Sequence, residues 1–141
     1  MESNFVLQVG VKVLLRNSEG KYLLLHRSSA KYPEIANPWD IVGGRIEPGT
    51  LLIDNLKREV FEETKLQLED APVLIAAQDI IWNNNGQDKH TVRLTYTATI
   101  SGQPELDPEN DEYRWLTIAE MKKLEGLDKY LSQLLIDQLE K

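Results

Sequence analysis

The chain is predicted to be a mixed α/β protein with a largely antiparallel sheet, and three observations lead there. Apolar segments of strand character come in pairs, each pair joined by a turn sequence. A long amphipathic helix separates the two pairs. The regular β-α alternation of a doubly wound sheet is missing, and no G-x-G-x-x-G or Walker sequence is present.

In order, residues 5–15 mix alternation (Val9, Val11 and Val13 against Gly10 and Lys12) with a continuous apolar end, which predicts a strand. Asn17-Ser18-Glu19-Gly20 is a turn and residues 21–27 return as the second strand of a hairpin. A polar loop holding Pro33 and Pro38 follows. Residues 39–42 form a short strand that delivers the chain to a Gly43-Gly44 turn. A helix then starts at Thr50 as N-cap, with Asp54 in its first turn favouring the positive end of the dipole. Residues 71–83 read as a strand broken near Gln78, and Asn85-Gly86 supplies the positive-φ pair of a type I′ hairpin. Its partner, 90–101, alternates Val92, Leu94, Tyr96, Ala98 and Ile100 with Arg93, Thr95, Thr97 and Thr99. An acidic loop, 102–112, leads to a short strand at 113–116. Thr117 and Glu120 then make a capping box for a helix to about Leu124, and an amphipathic helix over 128–139 carries Leu131, Leu134, Leu135, Ile136 and Leu139.

At 141 residues the chain is expected to be one domain, long enough to bury about two-thirds of its unfolded surface. With no cysteine there is no disulfide framework, no thiolate nucleophile and no zinc–thiolate site. A net charge of −7 argues against a general nucleic-acid-binding surface, which needs a basic stripe. No targeting sequence opens the chain and no apolar run approaches spanning length, so the expected location is cytoplasmic, with no membrane partner.

The chemistry concentrates in residues 43–66. Glu59, Glu62 and Glu63 stand at i, i+3 and i+4 and project from one helix face. Like charges so placed repel by a few tenths of a kcal/mol per pair, and a hard divalent cation reverses that balance. Leu52, Ile53, Leu56, Val60 and Thr64 make the apolar stripe beside them, and Arg58 lies in reach of Glu62. His26 and His90 pair with no other ligand type in the sequence and read as packed or surface residues. Arg93 reads as a solvated cross-strand charge. Trp39, Trp82 and Tyr32 are aromatic candidates to stack on a base.

The stretch resembles the Nudix box, G-x5-E-x7-R-E-U-x-E-E-x-G-U, where U is bulky and aliphatic. Registered from Gly44, it places Arg58, Glu59, Val60, Glu62, Glu63 and Leu66 at their family positions. Thr50 stands where the pattern has its first Glu, and Lys65 where it has Gly. The resemblance implies an α/β/α sandwich and hydrolysis of a nucleoside diphosphate linked to another group. By position, Glu59, Glu62 and Glu63 would hold Mg²⁺ or Mn²⁺, with the Gly43 carbonyl completing the shell. One of these glutamates would act as base, and Arg58 would orient a glutamate. Gly43, Gly44, Trp39 and Trp82 would meet the substrate, and Glu112 is the candidate late-loop carboxylate. The family's downstream signatures place a proline or a tyrosine near residues 82–84, and neither is there, which leans toward nucleoside triphosphates and modified nucleotides. Family habit adds a homodimer. The alternative is a non-catalytic module that binds a nucleotide or a protein, which Thr50 and Lys65 favour.

Overall fold

The protein is described by a computed structural model over residues 4–138. Strands β1 (Val6–Arg16), β2 (Tyr22–Arg27), β3 (Trp39–Asp40) and β4 (Val42–Arg45) precede helix α1 (Leu52–Thr64). Strands β5 (Val73–Asn84), β6 (Gln87–Thr99) and β7 (Asn110–Leu116) follow, then helices α2 (Ile118–Lys122) and α3 (Lys129–Gln138). The sheet runs β3-β2-β1-β6-β5, with β4 also paired to β1 and β7 to β2. Every pairing is antiparallel except β1 with β6, which is parallel from Val6↔Lys89 to Arg16↔Thr99.

The alternation of the strands sorts their side chains to two faces. Val11, Val13, Leu15, Leu23, Leu25, Tyr96, Ala98 and Ile100 pack beneath Leu56 and Val60 of α1. Leu14 and Leu24 point the other way and meet Met121 of α2 and Leu131, Leu134 and Leu135 of α3. Each such leucine contributes about 2 kcal/mol by leaving water. Helices on both faces of a mixed sheet make the α/β/α sandwich. Leu139, assigned to the last helix from sequence, lies outside the described residues.

Several local expectations are corrected. The first hairpin closes only at Arg16↔Tyr22, after which β2 leaves β1 to pair with β3 and β7. Gly43 and Gly44 are not a turn: they lie within β4, opposite Lys12 and Val11. The stretch 39–42 is two strands on different partners, with Ile41 between them. The irregularity in β5 falls between Leu74 and Ala76 rather than at Gln78. The hairpin turn itself is as predicted, with Asn85 at φ 52° and Gly86 at φ 88°.

Thr50 is not the N-cap. Its amide donates to the Glu47 carbonyl, so the chain is still turning there, and Leu51 takes the cap position without a side-chain hydrogen bond. Lys65 adopts the left-handed conformation that the family's glycine would have, φ 63° and ψ 13°, and donates its amide to Phe61. Glycine at this position avoids a penalty of about 1 kcal/mol. The exposed contact of the Lys65 ammonium over the Phe61 ring, 5.4 Å from its centroid, returns a few tenths of that to lysine. Lys65→Gly is therefore expected to raise stability by about 0.5–1 kcal/mol, seen as a higher urea midpoint at unchanged slope.

Candidate active site

The site forms where α1 crosses β4, and the crossing is close because β4 carries glycines. A β-carbon on Gly44 would stand 2.9 Å from the carboxyl of Glu59. One on Gly43 would stand 2.0 Å from the Val11 carbonyl oxygen and 2.9 Å from Lys12 Cδ, and Gly43 also holds φ 148°. A larger residue at Gly43 pushes the strand off the β1 backbone, and one at Gly44 displaces the Glu59 carboxyl.

The loop between β4 and α1 is tied down by Asn55, a fully buried residue whose importance the sequence reading missed. Its Oδ1 accepts from the Glu47 amide at 3.0 Å and from Arg58 Nη2 at 2.9 Å, and its Nδ2 donates to the Arg45 carbonyl at 3.4 Å. The available signal was a polar residue on the apolar stripe, between Leu52 and Leu56. Arg58 donates further to Glu47 at 2.6 Å and to Glu59 Oε1 at 3.2 Å, whereas Glu62 lies 3.9 Å away. Arg58 thus orients Glu59 more firmly than Glu62, the partner suggested by i,i+4 spacing.

The three glutamates have different surroundings. Glu59 lies against Gly44, and burial pushes its carboxyl up, an effect that neighbouring Arg58 opposes. Glu63 faces a narrow crevice lined by Lys12, Leu25, Arg27, Asp40, Ile41 and Asn110. Burial pushes its carboxyl up to about 7; Lys12 pulls it down and the charge of Glu59 adds to the rise. Glu62 is exposed beside Arg58. Among the described residues no three acidic or imidazole side chains stand close enough to form a ready-made cation cage.

The remaining sequence candidates are dispersed. Glu112 is exposed, pairs across to His26, and accepts from Arg114 Nε at 3.1 Å. The late-loop acid whose charge reaches Glu63 is Asp107. Trp39 is a core residue: it is 5% exposed, packs with the α3-side cluster and lies beneath the Arg114 guanidinium, with His26 edge-on at 4.8 Å. That leaves it no face for a base, because the position stitches β3 to the loop before α3 through its amide and carbonyl. Trp82 is exposed on β5, and its Nε1 donates to Thr91 Oγ1 at 3.1 Å. Thr91 lines a recess of about 220 Å³ with Gly10, Lys12, Arg27, Gly44, Arg45, Ile80 and Arg93. Tyr32 bonds Glu109 through its hydroxyl and lies over Arg27. His26 and His90 each take an exposed aspartate, Asp111 and Asp79. Arg93, read from sequence as solvated, is instead buried between Asp40 and Asp128.

Comparison with known proteins bears on the fold and the family. The model of the NUDIX domain matches residues 6–135. A MutT protein from Methanosarcina mazei Go1 shares the fold at TM-score 0.78 and 23% identity, covering 96% of this chain and 94% of that one. A MutT NUDIX hydrolase from Burkholderia pseudomallei does so at 0.77 and 23%, covering 95% and 98%. A C. elegans Ap4A hydrolase matches at 0.63 and 18%, covering 93% of each chain. No curated protein matches the chain. At these identities the solved structures speak for the fold; with the family's model matched along nearly the whole sequence, the chain belongs to the Nudix family.

Proposed function

We propose that the protein is a metal-dependent pyrophosphohydrolase that cleaves a nucleoside triphosphate or modified nucleotide to a nucleoside monophosphate and pyrophosphate. The observation that carries this reading is the pair Glu59 and Glu63. Burial pushes both carboxyls up, Glu59 against Gly44 and Glu63 in the crevice with Lys12 and Arg27, although Arg58 opposes the rise at Glu59 and Lys12 opposes it at Glu63. A divalent cation removes that penalty, and carboxylate oxygens suit Mg²⁺ or Mn²⁺. The lack of a complete protein cage fits as well, since Mg²⁺ is commonly bound by one or two carboxylates together with substrate phosphates and water.

Glu59, Glu63, Glu62 and the Gly43 carbonyl would hold the cation. When bound, it neutralises phosphate charge and lowers the pKa of a water. Within the protein, Arg58 and Asn55 fix Glu59, and one of the three carboxylates takes the proton of the attacking water. That water's oxygen bonds to phosphorus as the bridging oxygen leaves with the pyrophosphate. The recess at Gly10, Ile80 and Thr91, bordered by Trp82, is the place for the nucleoside. Substrate choice is supported by the missing proline and tyrosine at residues 82–84 and by the MutT names of two structural neighbours.

Three outcomes are expected. First, common and oxidised nucleoside triphosphates, ADP-ribose, a nucleotide sugar and a dinucleoside polyphosphate are assayed for phosphate and pyrophosphate release with Mg²⁺ and with Mn²⁺. Triphosphates turn over only with metal, and Glu63→Gln lowers kcat by about a hundredfold or more. No turnover of any nucleotide, with metal still bound, moves the reading to a nucleotide-binding module. Second, Glu112→Gln leaves kcat within about twofold, because its carboxylate is engaged with Arg114 on an exposed strand. Third, stability depends on pH through Glu63. Its carboxyl is raised in the folded state, so its contribution is complete below about pH 4.5 and is lost as pH climbs through about 7. The loss is on the order of 3 kcal/mol. Metal-free protein is expected to melt progressively lower from about pH 5 to 8, with Mg²⁺ restoring more at pH 8 than at pH 6. Glu63→Gln flattens that slope; parallel slopes for wild type and variant contradict the assignment.

A further inference from the structure

In the sequence Lys12 is only the polar member of an alternating strand. Its neighbours on β1, Val11 and Val13, point to the α1 face, so Lys12 projects to the opposite face along with Leu14. There it passes over Gly43, whose missing β-carbon leaves the space its side chain occupies. The ammonium then meets Asp40 Oδ2 at 3.2 Å and the Ile41 carbonyl at 3.2 Å.

Asp40 is itself fixed. Its Oδ1 accepts from the Ile41 amide at 2.8 Å and from Arg93 Nη2 at 2.9 Å, and its Oδ2 accepts from Arg93 Nη1 at 3.2 Å. Arg93 also holds Asp128 at 3.1 Å, and Asp128 accepts from the amides of Tyr130 and Leu131 at the start of α3. Burial alone would raise the Asp40 carboxyl, but Lys12 and Arg93 hold it at about 2, so it stays ionised throughout the neutral range. The charges of Arg93, Asp40 and Asp128 are therefore engaged with one another, in a frame that joins sheet to helix. Lys12 is attached to the edge of that frame. An ammonium has three donors, and two of them have acceptors among the described residues.

Position supplies the second argument. Lys12 lines the crevice of Glu63 and also the recess at Gly10, Ile80 and Thr91; Arg27 is the other residue common to both. A nucleotide with its nucleoside in the recess and its scissile bond at the glutamates has its phosphates beside these two cations. We propose that Lys12 is a phosphate-binding residue of the active centre, its ammonium aimed by Asp40 and the Ile41 carbonyl so that the remaining proton takes an oxygen of the substrate's pyrophosphate. This rests on the pyrophosphohydrolase reading, which it deepens by assigning a cation that is not one of the family's motif positions.

The rival role is that of a counter-charge to Glu63 alone, and the two separate in one set of measurements. Wild type, Lys12→Met, Lys12→Gln and Lys12→Arg are titrated with Mg²⁺ alone and with inorganic pyrophosphate in saturating Mg²⁺, read by thermal shift. The kcat and KM for the nucleotide turned over are measured beside them. A phosphate ligand predicts that Lys12→Met or Lys12→Gln needs at least tenfold more pyrophosphate and loses about a hundredfold in kcat/KM. Mg²⁺ binding is equal or tighter, because a repelling cation has been removed, and Lys12→Arg recovers most of both losses. Unchanged pyrophosphate binding and kcat/KM in the folded variants overturn the proposal. So does a wild type that pyrophosphate does not stabilise, and so does a loss that Lys12→Arg shares in full. If no nucleotide is turned over, the hydrolase reading falls, while the pyrophosphate titration still decides the assignment of Lys12.

Discussion

Two missing side chains set the geometry on which everything else in this protein depends. Strand β4 is held between β1 and helix α1 at a separation that leaves no volume for a β-carbon at Gly43 or Gly44. At Gly43 the obstacle is the β1 backbone, so the constraint cannot be relieved locally, while at Gly44 it is the Glu59 carboxyl itself. It brings the Glu59 carboxyl onto the strand backbone and leaves Lys12 a path over Gly43. Asn55 and Arg58 hold the intervening loop in register with Glu47 and Glu59, so the loop and the first half of α1 behave as one unit.

The fold uses the stability of its two apolar cores to support an electrostatic arrangement that is unfavourable without a ligand. Leu56 and Val60 pull α1 down onto the sheet, and in doing so drive Glu59 and Glu63 out of water. Elsewhere the same molecule pairs buried charges with one another, as Asp40, Arg93 and Asp128 show. Those aspartates share Arg93, whereas Glu59 and Glu63 are raised by burial despite Arg58 and Lys12, and that difference is what the proposed cation would remove.

Thr50 and Lys65, the two departures from the family pattern, have different consequences. Thr50 sits in the turn around Gly49, ahead of the helix, and its replacement of a carboxylate leaves Glu59, Glu62 and Glu63 on α1. Lys65 accepts a left-handed conformation at a local cost and preserves the helix end. Both leave the α1–β4 contact as it is.

The sequence by itself determined the helix, its apolar stripe, the Asn85-Gly86 turn, the capping box at Thr117 and the clustering of Glu59, Glu62 and Glu63 on one helix. Each of these rests on short-range rules: periodicity, capping and the φ preferences of Gly and Asn. Only the tertiary structure decided that β1 pairs in parallel with β6 and that β2 leaves β1 after one residue pair. It also decided that Trp39 is core, that Glu112 turns to Arg114, and that Arg93 is buried rather than solvated. Those outcomes depend on which strands become neighbours across the sheet, and side chains far apart in the chain set their own exposure and charge partners only once that is settled. Lys12 shows this most clearly: a lysine in an alternating strand carries no signal of its own, and its meaning comes from the glycine across the ladder and the aspartate beyond it.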